Sequence, residues 1–313
     1  MSREPALHKA YYFLKPILPR RIQLLLRRMR VNRILPHCGE RWPVDAEAAK
    51  PPENWSGWPG DKDFALLLTH DVEDKRGHDR CRELMDIEEE LGFRSCFYLV
   101  PERYEVSESL RAEMVERGFE VGVHGLTHDG KLYNSRAIFE KRAARINHYL
   151  SEWGVTGFRS PSMQRNLDWI GDLEIEYDSS TFDTDPFEPN PEGAGTIFPF
   201  LYQVNGREKS YIELPYTIPQ DLTLFVVMEE KTNAIWKKKL DWIVEQKAVA
   251  HVLTHPDYMT PRGATPAIDE YPLDIYTGFL EYIKERYAGR YWEALPREMS
   301  HFWREKVIGT PDS

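Results

Sequence analysis

The chain has 313 residues, 41% of them hydrophobic and 29% charged, the balance of an ordinary folded protein with room for one large α/β unit or two small ones. Its formal charge of −10 argues against a nucleic-acid partner, because phosphate binding needs a basic face. Cys38, Cys81 and Cys96 are odd in number and fit neither a metal knuckle nor a disulfide framework, so a reducing compartment is expected and Cys96, inside an apolar run, reads as a packing residue.

Residues 1–35 are basic, with Lys9, Lys15, Arg20, Arg21, Arg27, Arg28, Arg30 and Arg33 interleaved with apolar and aromatic side chains such as Tyr11, Phe13, Leu14, Ile22, Leu25 and Leu26. The part after Pro19 reads as a short helix. It serves either as a peripheral contact to a membrane or another anionic partner, or as a helix packed on the body of the protein with a solvated basic face. No uninterrupted apolar signal core follows the basic residues, and no apolar stretch reaches bilayer length. The expected location is therefore cytoplasmic, with membrane association at most peripheral. A Pro- and Trp-rich stretch follows over 41–60, with Trp42, Pro43, Trp55, Trp58 and Pro59, and reads as an extended surface connector. The expected division is a basic extension and connector over 1–60 and a catalytic domain over 61–313.

From residue 64 a strand–helix rhythm sets in. Phe64 to Thr69 is a continuous apolar run that suits a buried parallel strand. Helical spacing over 81–91 stops at Gly92. A strand is predicted over 95–100, and a helix over 107–117 opens on Ser107. The next strand covers 120–124, a long helix 135–152 ends before Gly154, and a fourth strand starts at 157. Later strands are predicted at 176–181, 211–215 and 249–254, and helices at 233–246 and 273–287. A last amphipathic segment runs from about 296 to 306. Strands alternating with helices imply a parallel sheet with right-handed crossovers; periodicity does not decide whether it closes.

In such folds the site lies at the C-terminal ends of the strands. Four apolar strands here end in chemically active residues: Thr69-His70-Asp71-Val72-Glu73-Asp74, then His124-Gly125-Leu126-Thr127-His128, Arg159-Ser160-Pro161 and Thr254-His255-Pro256. The His-x-x-x-His spacing of His124 and His128 suggests two imidazoles on one face of a helical turn. Two imidazoles and one carboxylate from Asp71, Glu73 or Asp74 make a facial ligand set with open positions. A metal so held would acidify water and polarise a carbonyl. Another carboxylate could serve as general base, His255 as general acid, and Arg159 as the partner keeping the base ionised. Taken singly, each has a plain structural reading: a helix cap for Asp71, a satisfied loop histidine for His255, an ordinary ion pair for Arg159.

Together these residues resemble the polysaccharide deacetylases of the nodulation-protein homology type, carbohydrate esterase family four, over roughly 64–290. By that resemblance Thr69-His70-Asp71-Val72-Glu73 is the first motif, with Asp71 the general base and Glu73 the metal carboxylate. The usual second of two adjacent aspartates is replaced by Val72, and Asp74 is the fallback ligand. His124 and His128 match the metal imidazoles, Arg159 of Arg159-Ser160-Pro161 the residue that orients the base, and His255 the general acid. Tyr177 to Phe182 resembles the motif lining the acetyl pocket, with Phe182 where the family has tryptophan. The resemblance implies an α/β fold, a deformed (β/α) barrel, and a divalent metal: zinc, with cobalt or nickel as the other ions it allows. It further implies substrate contacts from Tyr133, Pro161, Asp178 and Phe182, and an acetylated sugar or glycan precursor as substrate. The long aperiodic segment Asp183 to Phe200 is expected to form part of the substrate wall. Two other functions stay open: a different C–N hydrolase on the same fold, such as a deformylase or ring-opening amidohydrolase, and a glycan-binding relative without turnover.

Overall fold

The computed structural model describes residues 18–188 and 192–309. The first helix, α1 (Arg20–Ile34), buries Leu24 and Val31. The stretch after it is not an extended surface connector. It forms short 3-10 turns, Gly39–Arg41, Ala46–Ala49 and Pro59–Asp61. Its tryptophans point inward: Trp58 is buried, donates to the Lys247 carbonyl at 2.8 Å, and lies 4.3 Å from Trp55, which also meets Trp303 at 5.5 Å. Rings this large repay burial wherever a partner surface exists, and a proline-rich backbone does not prevent it.

The central strand β1 (Phe64–Val72) is buried along its whole length, as its continuous apolar run predicts. Helix α2 (Lys75–Leu91) begins six residues before the predicted start at 81, because Asp74 caps it by accepting from the Arg76 N–H at 2.9 Å. There follow β2 (Cys96–Leu99), α3 (Glu108–Glu116), β3 (Glu120–His124), α4 (Arg136–Trp153) and β4 (Gly157–Arg159). Ser107 and Ser135 cap α3 and α4, and Gly92 and Gly154 end α2 and α4 at φ 85° and 65°. The next elements are α5 (Leu167–Ile170), β5 (Tyr177–Asp178), β6 (Phe200–Gln203), β7 (Ser210–Glu213), α6 (Ala234–Glu245) and β8 (Val249–Thr254). Last come the short β9 (Met259–Thr260) and β10 (Tyr271–Pro272), α7 (Asp274–Tyr287), β11 (Tyr291–Glu293) and α8 (Pro296–Phe302).

Among the described residues the main sheet has nine strands. β1 pairs in parallel with β8 on one edge; β2 (at Thr69–Val72) and β11 (at Phe64–Leu66) are its other partners. The parallel ladder runs on through β3, β4, β5 and β7, while β6 folds back antiparallel on β7. Beyond β7 the chain reaches β8, where Ile218 forms a parallel bridge with Val252. The circuit β8–β1–β2–β3–β4–β5–β7 therefore returns to β8, a deformed (β/α) barrel, with β6 paired to β7 ahead of the seam. No helix among the described residues is long and apolar enough to cross a membrane.

Candidate active site

Every strand end singled out by the sequence opens on the same mouth. The structure brings Glu73, His124 and His128 together, each offering a donor atom within 4.8 Å of the others. Asp74 stays apart as the cap of α2. Glu73 Oε1 lies 3.0 Å from His128 Nε2, and Oε2 accepts from the Tyr258 hydroxyl at 2.6 Å. Its backbone N–H and that of Asp74 are held by Asp257, at 2.8 and 2.9 Å. Asp257 also accepts from the Gly77 N–H at 3.1 Å, and a Cβ at Gly77 would stand 2.3 Å from its carboxylate, so only glycine fits there.

The two histidines are not on a helical turn. His124 ends β3, and the chain then bends through Gly125 at φ 59° and His128 at φ 52°, both left-handed. A left-handed conformation at a non-glycine residue is strained, and such residues gather at functional sites. Gly125 is required for a second reason: a Cβ there would sit 2.3 Å from Pro161 Cγ. His124 Nδ1 lies 3.1 Å from the Arg159 carbonyl and donates to it, which turns Nε2 inward. Nε2 of His124 is buried without a hydrogen-bond partner, and Nε2 of His128 is buried against the Glu73 carboxylate. Buried polar atoms of this kind are normally satisfied, and neutral imidazole nitrogens beside a carboxylate are the donor set a divalent metal takes. Donors around such an ion at ~2.1 Å stand about 3.4 Å apart, so the residues present fit the metal that the motifs imply.

Asp71 lies beside this cluster, with Oδ2 3.7 Å from His124 Nε2 and Oδ1 accepting from Arg159 Nη1 at 2.9 Å. The Arg159 guanidinium is buried and fully engaged. It donates to the Ser179 carbonyl (2.9 Å), Ser179 Oγ (2.7 Å), Thr69 Oγ1 (3.0 Å) and His251 Nε2 (3.1 Å), and it stacks over Tyr98 at 4.2 Å. Burial and the Arg159 charge push His251 well below the usual histidine range, and the neutral ring can accept. Burial opposes the charge on Asp71, but the neighbouring His124 and Arg159 outweigh it and hold the carboxyl below its ordinary range. Burial pushes His124 itself down to about 4, so near neutrality the cation that keeps Asp71 ionised is Arg159.

His255 faces the cluster from the end of β8, with Nε2 4.0 Å from Glu73 Oε1. The sequence gives no hint of its partner. Asp221 precedes a wide π-helical turn, Leu222–Val227, and its Oδ1 lies 2.7 Å from His255 Nδ1. Burial alone lowers His255, but Asp221, followed by Glu73 and Asp71, overcomes it and raises the imidazole to about 10. The site therefore pairs an ionised carboxylate with a protonated imidazole across three potential metal ligands. His70, next to Asp71 in sequence, takes no part: it is locked between Thr254 at 2.7 Å and Glu88 at 2.9 Å beneath the barrel wall.

The proposed substrate contacts lie on the β4–β5–β7 side. The Tyr133 hydroxyl bonds to Ser160 Oγ, and the Ser160 N–H to Ser180 Oγ at 2.8 Å. Ser180 in turn donates to Asp178 at 2.6 Å. Phe182, Met163, Tyr216 and Leu253 form a small apolar cluster, with Phe182 and Tyr216 5.8 Å apart. The described part of the 183–200 segment packs here: the Ala194 N–H bonds to the Phe182 carbonyl at 2.7 Å, and Glu188 accepts from Gln220 at 2.6 Å. Pro189 and Pro191 of that segment, and Lys9 and Lys15 of the N-terminus, lie outside the described residues. A cavity of about 500 Å³ opens behind Tyr271, lined by Phe225, Lys231 and Glu270 among others, and holds none of these reactive groups.

Residues 60–168, which carry the first three motifs, match the family model described as polysaccharide deacetylase. Among solved structures, one from Mycobacterium smegmatis described as a polysaccharide deacetylase superposes with a TM-score of 0.60 at 16% identity, covering 84% of this chain and 97% of its own. A Pseudomonas aeruginosa PAO1 structure of the same description gives 0.60 at 17%, covering 86% and 100%. The Puue allantoinase gives 0.60 at 16%, covering 86% and 99%. At such identities the likeness is one of fold. No curated protein matches the chain.

Proposed function

We propose that this protein is a divalent-metal hydrolase that removes an acetyl group, in the first instance an N-acetyl group, from a carbohydrate or glycan precursor. The reading rests above all on two opposite protonation states held side by side: Asp71 kept ionised by Arg159 and His255 kept protonated by Asp221, flanking Glu73, His124 and His128. Those three residues would hold the ion, zinc by preference; when bound it supplies Lewis acidity, lowering the pKa of water and polarising the acetyl carbonyl. Asp71 takes the proton of the attacking water, and Arg159 stabilises the base without competing for that proton. Asp221 occupies Nδ1 of His255 and leaves the Nε2–H facing the cluster, where it protonates the departing nitrogen. Phe182 and its apolar neighbours accept the methyl group, and Pro161, with Tyr133 and Asp178 bracing Ser160 and Ser180, shapes the wall against the sugar.

The test is elemental analysis of wild type and His124→Ala, together with assays for acetate, formate and ammonia released from N-acetylated sugars, their N-formyl analogues and cyclic ureides. About one ion per chain and acetate release, both lost in His124→Ala, support the proposal. Formate or ammonia in place of acetate moves the chemistry to another C–N bond. Glycan binding that survives Asp71→Asn, with no product from wild type, would overturn catalysis in favour of a binding role.

A further inference from the structure

Helix α1 is apolar on two sides. One side carries Leu24 and Val31, which are buried. At roughly 100° per residue, Ile22, Leu25, Leu26 and Met29 form a second stripe on the opposite side, and they are 42%, 57%, 40% and 60% exposed. A contiguous exposed apolar stripe on a folded protein marks an interaction surface. The helix is basic, with six arginines and no Asp or Glu over 20–34, although the whole chain carries a charge of −10; Arg21, Arg30 and Arg33 are exposed, while Arg20 and Arg28 pair with Asp269 and Glu229, each at 3.0 Å. The docked side is fixed to the region of the active site. Arg30 donates to the carbonyls of Phe187 and Glu188 at 2.6 and 2.8 Å, and Arg28 to that of Val226 at 3.1 Å. Arg20 stacks 5.4 Å over Tyr258, whose hydroxyl holds Glu73.

We propose that this face docks on an anionic phospholipid surface, the apolar stripe entering the headgroup boundary and the arginines meeting lipid phosphates. The charge selects the occupant. In a symmetric dimer the same patch faces itself, so the exposed Arg21 and Arg33 beside the stripe would oppose their own copies. A bilayer of anionic lipid complements both the stripe and its flanks. Docking would place Tyr258 about one helix diameter, ~10 Å, from the lipid, with the site mouth beside the membrane plane. The inference does not depend on the reaction proposed above.

The test is flotation of the full chain with vesicles of phosphatidylcholine alone and of phosphatidylcholine with phosphatidylglycerol. The paired variants are Leu25→Glu/Met29→Glu and Arg21→Glu/Arg33→Glu, with thermal unfolding verifying that each is folded. Wild type is expected to bind phosphatidylglycerol vesicles at least about tenfold better than neutral ones, with both variants losing about tenfold and with raised salt weakening the binding. No binding to anionic vesicles, equal binding to both compositions, or variants that float like wild type would overturn the proposal. A concentration-dependent dimer abolished by Leu25→Glu/Met29→Glu, without vesicle binding, would overturn it in favour of a second copy. Binding is read without turnover, so a failure here leaves the deacetylase reading untouched.

Discussion

Asp221 holds His255 at two points: Oδ1 lies 2.7 Å from the ring Nδ1, and Oδ2 accepts the backbone N–H of His255 at 2.8 Å. The Tyr271 hydroxyl donates to the same carboxylate at 2.9 Å. The imidazole is thus fixed in both orientation and charge by a residue that lies far away in sequence.

This gives a signed prediction for pH. His255 is raised to about 10, so it stays protonated through neutrality and an activity profile should fall on the alkaline side as pH rises through about 10. Asp221→Asn removes the main raising charge, and the alkaline limb should move down toward ~6.5, the unperturbed histidine value. The rate should fall by about 10²-fold or more. In stability, the raised value favours the native state fully below ~6.5, and that share is lost as pH climbs through the folded value. Rate profiles and thermal melts of both proteins check this.

Loss of Arg159 should unfold as well as inactivate. Arg159→Met leaves the buried Asp71 carboxylate without its guanidinium partner, while Thr69 and Ser179 keep their bonds to the Val252 and Leu214 carbonyls, with an expected cost of about 3–5 kcal/mol. Arg159→Lys retains the charge but not the fork, so it should recover part of the stability and little of the activity. Chemical denaturation beside the acetate assay separates the two.

Glu73 and Asp74 are neighbours with different work, and single substitutions should separate them. Glu73→Ala should abolish metal uptake. Asp74→Ala should leave it intact and cost about 1 kcal/mol, the usual value of a helix cap. Adding a divalent ion should raise the melting temperature of wild type and of Asp74→Ala, by the equivalent of about 4 kcal/mol at a thousandfold excess over Kd. It should do so for neither Glu73→Ala nor His124→Ala.

Gly125→Ala should be costly for a residue so small. The Cβ would meet Pro161 at 2.3 Å from a left-handed backbone, so the loop carrying His128 has to move. A loss of about 1–3 kcal/mol and weaker metal binding are expected, both readable from melts with and without metal.

The sequence displays the elements whose burial writes a plain pattern. β1 is visible through its opening apolar run, Phe64 to Leu68; the caps Ser107, Ser135, Gly92 and Gly154 are visible by type. The first turns of α2 are hidden because Lys75, Arg76, Asp79 and Arg80 give no apolar period, and β6 and β11 because each is short and half-exposed. The residues of the candidate site are legible because strand ends gather them, but their local geometry is not. The spacing of His124 and His128 suits a helix, and only Gly125 signals the bend that is present instead. Asp221, Tyr258 and His251 are invisible, since their meaning lies in contacts made across the barrel.

Between β7's continuation and β8 the barrel closes through a short seam: the Ile218–Val252 bridge, the Thr217 and Ile218 amides on the His251 carbonyl, each at 3.1 Å, and Thr217 Oγ1 on the Val249 carbonyl at 2.7 Å. Asp71, Glu73 and His255 sit on the neighbouring β1 and β8, which are tied by a six-residue ladder from Ala65 to His70. Phe182 and Asp178 belong to the far bank. Parting this short seam costs less than breaking the β1–β8 ladder, so it is the joint of the barrel expected to open first. Opening there would leave Asp71, Glu73 and His255 at their present spacing, since the paired β1 and β8 lead directly into them. The Ile218 amide, bonded to the His251 carbonyl at 3.1 Å, should exchange its hydrogen much faster than those of β1; equal protection would show the joint to be closed.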